Sequence, residues 1–163
     1  MSIDIWWVNL EADTGGLDDL SAQEQQRYWR FQTDTLRRRY LASHVALHRI
    51  LALYVDKVEF VHVSDGKKPR LVGSDICFSL SHSHDAAVVA VARSVEIGVD
   101  VEKERANVNV FGVAQRYFST DELEELKRTP VEKQTAKFFA MWTAREAYLK
   151  AKGVTAKHVL DEH

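Results

Sequence analysis

The chain has 163 residues, 45% of them hydrophobic, and 22 basic residues nearly balance 24 acidic ones. This length and apolar content suffice for a sizeable core and argue against wholesale disorder, while the balanced charge argues against a general attraction to nucleic acid or to a membrane surface. The single cysteine, Cys77, excludes an internal disulfide framework and is consistent with a reducing cytoplasm, and no apolar run reaches the length of a membrane span.

The first third of the chain predicts a strand followed by two helices. Apolar and polar residues over 3–10 follow the pattern of a strand. A helix is predicted over 20–30, with Asp18 or Ser21 as its capping residue. A longer helix is predicted over 34–54, where apolar residues recur at helical spacing.

The middle of the chain predicts short strands, and the end predicts helices. Strands joined by polar turns, among them Ser64-Asp65-Gly66, are predicted over 58–63, 75–80, 86–93 and 97–102. Helices are predicted over 111–118 and 132–152, and between them Ser119-Thr120-Asp121-Glu122 has the form of a capping box. Helices and antiparallel strands in separate clusters predict an α+β fold.

Two segments carry the side chains that suggest chemistry. The alternation of Ile97–Glu102 places Asp100 and Glu102 on one face, with Cα atoms about 6.5–7 Å apart, so both carboxylates could reach one cation. Glu146 and Lys150 are four residues apart on a predicted helix and are therefore neighbours. Each pair also has a simpler interpretation, the solvated face of a strand or an ordinary intrahelical ion pair. A hard cation on oxygen ligands beside a lysine is suited to binding a diphosphate.

Two more polar segments, 66–69 and 78–82, join these two in an ordered set of four motifs. The set comprises Gly66-Lys67-Lys68-Pro69, Phe78–His82, Gly98–Glu102 and Trp142–Lys150. In order and approximate spacing it resembles the motifs of the Sfp-type 4′-phosphopantetheinyl transferases, and the resemblance extends over most of the chain. Two local differences are the lysine inserted before Pro69 and Arg145, which stands where the family usually has lysine. The family's second half also continues well beyond the last motif, whereas this chain stops ten residues after Gly153.

The resemblance implies a 4′-phosphopantetheinyl transferase-like fold of two pseudo-symmetric α+β halves, the second of them incomplete. Residues 1–97 would form the N-terminal half, with the basic residues that grip coenzyme A. Residues 98–163 would form a partial C-terminal half, with the metal-binding and catalytic motifs. We expect the protein to be a cytoplasmic monomer that binds neither nucleic acid nor a membrane.

The resemblance also implies a reaction and its metal. The enzyme would move 4′-phosphopantetheine from coenzyme A to a serine of an apo acyl or peptidyl carrier protein, and would release adenosine 3′,5′-bisphosphate. Mg²⁺ would be bound by Asp100, Glu102 and Glu146. Lys150 would contact the α-phosphate side of coenzyme A and is a candidate donor of a proton to the leaving oxygen.

Further residues are implied for gripping coenzyme A. Ser81 and His82 would contact its phosphates, and His82 is also included among the catalytic residues. Arg27 and Arg39 are the candidates for its 3′-phosphate, because arginine forks suit a phosphate dianion. Lys68 is the candidate for the family's lysine before proline. His84 has no counterpart in the motif and is expected at the surface.

Several alternatives remain open at this stage. Glu146 could be the general base that takes the serine proton, but a metal-bound carboxylate is a poor base, and a metal-activated water is a rival. The chain could instead be a non-catalytic relative that binds coenzyme A or a carrier without transfer. A phosphohydrolase with the same acids is a weaker alternative. His44 and His48 have a spacing that can bind zinc, but no third ligand is evident.

Overall fold

A sheet of three antiparallel strands forms one layer of the protein. In the computed structural model, which describes residues 2–12, 15–61 and 68–154, the strands are β1 (Ile3–Asn9), β2 (Ile76–Ser83) and β3 (Ala86–Arg93). Their order is β1–β3–β2, so β3 is central. β3 spans the predicted residues, 86–93. Its apolar side chains are buried because a strand pairs with it on each side and other side chains pack on both of its faces.

Within the described ranges five helices accompany the sheet, and they confirm the predicted α+β class. They are α1 (Ala22–Tyr28), α2 (Asp34–Leu51), α3 (Val110–Tyr117), α4 (Thr120–Arg128) and α5 (Val131–Ala151). A short 3-10 turn, Leu17–Asp19, precedes α1. Ser21 caps α1 in a capping box with Glu24, and Ser119 caps α4 in the predicted box with Glu122. These reciprocal bonds satisfy amide groups that a helix start leaves unpaired. The box at Ser119 was predicted, whereas the sequence left Asp18 and Ser21 open as caps of the first helix, and the structure has Ser21.

The long helix α2 covers one face of the sheet. Leu47 and Leu51 of this helix pack with Phe78, Val89 and Val91 in the largest N-terminal cluster of buried side chains. This packing holds α2 against that face of the sheet, and Arg39 near the start of the helix reaches Asp85 in the turn that follows β2.

The opposite face of the sheet is covered only in part. The segment 97–103 lies over β2, where Ile97 and Val99 pack on Ala90 and Ala92 of β3. On β1 the same face presents three apolar side chains to solvent: Ile3, Ile5 and Trp7, with 48%, 62% and 71% of their surface exposed.

The three C-terminal helices have a core of their own. Phe138, Phe139 and Trp142 of α5 pack with Val113 of α3 and Leu126 of α4. The division of the chain into halves at residue 98 stays a prediction. Among the described residues, no helix combines the length and the apolar composition that crossing a membrane requires.

Two of the predicted strands differ from the structure. Residues 97–102 are extended but belong to no strand, because side-chain hydroxyls rather than a neighbouring backbone receive their amide hydrogens. Within 58–61 only an isolated bridge forms, between Phe60 and Leu71. The rest of that predicted strand, the predicted turn at 64–66 and the motif residues Gly66 and Lys67 lie outside the described residues.

Candidate functional site

One carboxylate and one ammonium from distant parts of the sequence meet at the partly covered face of the sheet, opposite α2. Lys150 Nζ lies 2.6 Å from Asp100 Oδ1 and donates to it. Ser81 of β2 joins them, because its Oγ donates to Asp100 Oδ1 at 2.8 Å and accepts from Lys150 at 2.9 Å. The Asp100 side chain is 5% exposed and that of Lys150 is 27% exposed. A lysine that close to a buried carboxylate compensates its charge.

A glycine allows α5 to approach the acidic segment, residues 97–103, this closely. A Cβ atom on Gly98 would lie 1.9 Å from the carbonyl oxygen of Ala147 and 2.5 Å from the amide nitrogen of Ala151. The backbone of the segment therefore packs directly on the backbone of the last turns of α5. Glu146 lies one helical turn before Lys150, so the helix presents both to the same side.

The second acid of the segment borders a small cavity. Glu102 accepts a hydrogen bond from Ser83 Oγ at 3.2 Å. The cavity has a volume of about 140 Å³, and three of the predicted site residues line it: Arg39, His82 and Glu102. Arg105, which was not predicted, lines it as well.

Ser81 and His82 point to opposite faces of the sheet. They are consecutive in β2, where successive side chains alternate. Ser81 faces the acidic segment, whereas His82 is exposed at the cavity beside Arg39. The two residues therefore do not act as one unit, although the motif places them side by side.

Three cations, Lys103, Arg39 and Arg105, lie around the cavity, against the two carboxylates of Glu102 and Asp85. Arg39 Nη2 donates to Asp85 Oδ1 at 3.1 Å, while its Nε is buried without a hydrogen-bond partner among the described residues. Burial lowers the pKa of His84, and the nearby cations Lys103, Arg39 and Arg105 lower it further. Such surroundings favour an anionic ligand such as a phosphate.

His84, which the sequence places at the surface, lies at the hairpin turn between β2 and β3. It lines the same cavity and is only partly exposed. It stands in the two-residue connection between β2 and β3 with a φ of 53°, a left-handed backbone conformation uncommon outside glycine. The hairpin turn therefore brings the ring back beside the strand end.

Two predicted residues lie apart from the cavity. Arg27 of α1 stacks over the ring of Tyr40, with 5.9 Å between the guanidinium carbon and the ring centroid. Lys68 donates to the carbonyl oxygen of Ile97 and to Glu96 Oε2, and it lines a different cavity of about 410 Å³. The assignment of both to coenzyme A stays a prediction.

The rings near Arg27 connect it to α2. Tyr40 stacks on His44, with ring centroids 3.9 Å apart. Burial lowers the pKa of His44 to about 4, which keeps this imidazole neutral near pH 7. His48 does not join it in a metal site: its Nε2 lies 2.9 Å from Glu24 Oε2, and the pair ties α1 to α2.

The acidic residues of the site offer a divalent cation one buried oxygen atom, on Asp100. Over the described ranges, no three histidine, cysteine, aspartate or glutamate side chains come together as a group able to hold a metal ion. Lys150 instead provides the positive charge at Asp100 Oδ1. The other oxygen, Asp100 Oδ2, is buried and makes no hydrogen bond within the described part of the chain. A buried carboxylate oxygen without a donor fits a divalent cation, since Mg²⁺ prefers oxygen ligands.

Two contributors to the site were missed by sequence reasoning. Arg105 gave no signal, because it follows the acidic motif outside any recognised pattern. Ser83 did have a signal in the sequence, because Ser79, Ser81 and Ser83 alternate with other residues and therefore lie on one face of β2.

Relatives of known activity resemble this chain along most of its length. Residues 96–162 match the model of a family described as the 4′-phosphopantetheinyl transferase superfamily. The chain is 35% identical to the 4′-phosphopantetheinyl transferase HetI of Nostoc sp. (strain PCC 7120), over 93% of this chain and 68% of that protein. It is 32% identical to the 4′-phosphopantetheinyl transferase psf-1 of Bacillus pumilus, over 82% of this chain and 55% of that protein. With the 4′-phosphopantetheinyl transferase AcpT of Salmonella typhi the identity is 32%, over 74% of this chain and 62% of that protein.

Proposed function

The chain belongs to the 4′-phosphopantetheinyl transferase superfamily, and we propose that it transfers 4′-phosphopantetheine from coenzyme A to a serine hydroxyl of an apo acyl or peptidyl carrier protein. It spans 55–68% of the length of the three relatives described above. The activity of those longer proteins is therefore attributed to this chain as a proposal.

The observation that carries the proposal is the junction of Lys150 with Asp100 through Ser81. Nζ, Oγ and Oδ1 lie within 2.6–2.9 Å of one another, although the three residues come from α5, β2 and the acidic segment. Lys150 supplies a positive charge that can attract a diphosphate oxygen, and Asp100 Oδ2, which has no donor among the described residues, could bind a divalent cation that attracts the same group. The cavity at the same strand end, which Arg39, His82 and Arg105 line together with Glu102, suits a second phosphate of coenzyme A.

The transfer needs no covalent intermediate on the enzyme. The serine oxygen of the carrier forms a bond to the phosphorus that bears pantetheine, and the bond from that phosphorus to the oxygen of adenosine 3′,5′-bisphosphate breaks. The serine proton passes to Glu146 or to a water molecule beside it, and Lys150 neutralises or protonates the leaving oxygen. Alignment and charge stabilisation by these residues are sufficient for in-line attack.

The three acids complete the proposed site. Asp100, Glu102 and Glu146 would hold Mg²⁺, which when bound would neutralise diphosphate oxygens. The buried Oδ2 of Asp100, which has no donor among the described residues, supports the assignment of Asp100, whereas the three acids do not come together as one group within the described ranges.

Mass spectrometry of a carrier protein tests the function. An apo-carrier is incubated with coenzyme A, Mg²⁺ and this chain, and we expect its mass to increase by one phosphopantetheine on serine. Calorimetric binding of coenzyme A or of the carrier without any adduct would instead support the non-catalytic alternative. Release of adenosine 3′,5′-bisphosphate in the absence of a carrier would support hydrolysis.

Arg39→Gln tests the proposed grip on the 3′-phosphate of coenzyme A. Because a charge-assisted hydrogen bond to phosphate would be lost, we expect KM for coenzyme A to rise about 10- to 100-fold. KM for dephospho-coenzyme A, which lacks that phosphate, should change by less than about threefold. The measurement is steady-state transfer with both donors.

Arg38→Gln is the matched control for this experiment. Arg38 precedes Arg39 on α2 but is exposed and points in a different direction. It should leave both KM values unchanged. If Arg39→Gln raised KM equally for coenzyme A and for dephospho-coenzyme A, Arg39 would not bind the 3′-phosphate.

A further inference from the structure

Three serines of β2 take the place of a neighbouring strand for the acidic segment. Ser79, Ser81 and Ser83 alternate along β2 and therefore share one face. Each hydroxyl oxygen accepts a backbone N–H from the residue twenty positions later. The donors are Val99 at 3.1 Å, Val101 at 3.3 Å and Lys103 at 3.1 Å.

Two of these hydroxyls also hold a carboxylate. Ser81 Oγ donates to Asp100 and Ser83 Oγ donates to Glu102. A hydroxyl has one hydrogen to donate and two lone pairs. In Ser81 all three are used, since the oxygen also accepts from Val101 and Lys150. Among the described contacts, Ser79 accepts the amide of Val99 but reaches no carboxylate.

The row couples the register of the segment to the position of its acids. A slip by one residue would turn Asp100 and Glu102 away from β2, because side chains alternate along an extended chain. The serine that binds the amide of residue 103 is the same serine that orients the acid of residue 102. Backbone register and carboxylate orientation are thus set at one oxygen atom.

We propose that Ser83 is a positioning residue for Glu102, whose carboxylate it orients for a divalent cation. The inference rests on the proposed function, since it requires Glu102 to be a metal ligand. Ser79 provides the contrast: it fastens the segment in the same way without touching an acid. A hydrogen bond from Ser83 that only held the chain in place would make the two serines equivalent.

Binding of Mn²⁺ separates these two roles. The full chain is titrated with Mn²⁺ in the presence of saturating coenzyme A, and free Mn²⁺ is measured by electron paramagnetic resonance. Hydrogen-bonding partners of metal ligands commonly contribute 10- to 100-fold to metal affinity. We therefore expect Ser83→Ala to weaken Mn²⁺ binding at least about tenfold. Ser79→Ala, the matched control, should change it less than about threefold.

Two further variants complete the design. Ser83→Thr keeps the hydroxyl and should restore affinity to within about threefold of the unsubstituted chain. Glu102→Ala is the reference for complete loss of the ligand. Urea unfolding measures how much each serine contributes to stability by holding the segment on β2. The free energy of unfolding should fall by similar amounts in Ser79→Ala and Ser83→Ala.

The outcomes distinguish this inference from the proposed function. If Glu102→Ala loses Mn²⁺ while Ser83→Ala binds within tenfold of the unsubstituted chain, the positioning role is overturned and the metal site stands. Equal weakening in Ser79→Ala and Ser83→Ala would also overturn it, because register alone would then explain both. If the unsubstituted chain binds no Mn²⁺, the metal assignment and the positioning role both fail, while transfer to a carrier is measured independently.

Discussion

Asp100→Ala is expected to abolish phosphopantetheine transfer, with a loss of at least about 100-fold in kcat/KM. The substitution removes the acceptor of both Ser81 and Lys150, and with it the buried oxygen that we assign to the cation. Lys150 would lose the carboxylate that compensates its charge. The measurement is the rate of adduct formation on an apo-carrier, followed by mass spectrometry at saturating Mg²⁺.

Asp100→Asn separates charge from shape at this position. The amide oxygen can still accept from Ser81, but the negative charge is absent, so we expect a comparable loss of transfer. We also expect a decrease of about 1–3 kcal/mol in the free energy of unfolding, because the Lys150 ammonium is left without its counter-charge. Asp56→Asn, at an exposed loop position, is the control and should behave like the unsubstituted chain. Near-normal turnover of Asp100→Ala with Mg²⁺ would refute the assigned role.

Gly98→Ala is expected to damage both the fold and the site. The added methyl would lie 1.9 Å from the Ala147 carbonyl oxygen and 2.5 Å from the Ala151 amide nitrogen. These are backbone atoms of α5, so no side-chain rotation can relieve the overlap. We expect the free energy of unfolding to fall by about 3 kcal/mol, as for other overpacked contacts. Transfer should fall with it, because α5 carries Glu146 and Lys150 to the acidic segment.

Gly16→Ala is the matched control for the glycine experiment. Nothing lies within 4 Å of a Cβ built on Gly16, so the stability of that variant should change little. Urea unfolding monitored by circular dichroism compares the two variants with the unsubstituted chain. Unchanged stability of Gly98→Ala would mean that α5 does not pack directly on the backbone of the segment.

Local signals in the sequence predicted most of the helices and the central strand. Ser21 and Ser119 mark helix starts because their side chains bond amides that the helix itself cannot satisfy. β3 could be bounded from its apolar composition and the polar turns around it. The lysine and the acid of the site were predicted from motif resemblance, and the structure brings Lys150 and Asp100 together.

Other features could not be obtained from local pattern. Alternation in 97–102 predicted a strand that the structure does not form, because periodicity reports only which way side chains point. It does not report which group receives the amide hydrogens, and here that group is a serine hydroxyl. Likewise, neighbouring positions in a motif conceal that Ser81 and His82 serve opposite faces of the sheet.

The sequence by itself therefore determined the α+β class, the helix starts and the residue types of the site, because capping, periodicity and motif spacing are properties of adjacent residues. Only the tertiary structure decided which of those residues meet. The cavity of Arg39, His82, Glu102 and Arg105 depends on how α2 and the acidic segment lie beside one strand end. That arrangement comes from long-range packing, including the backbone contact at Gly98, and no local pattern encodes it.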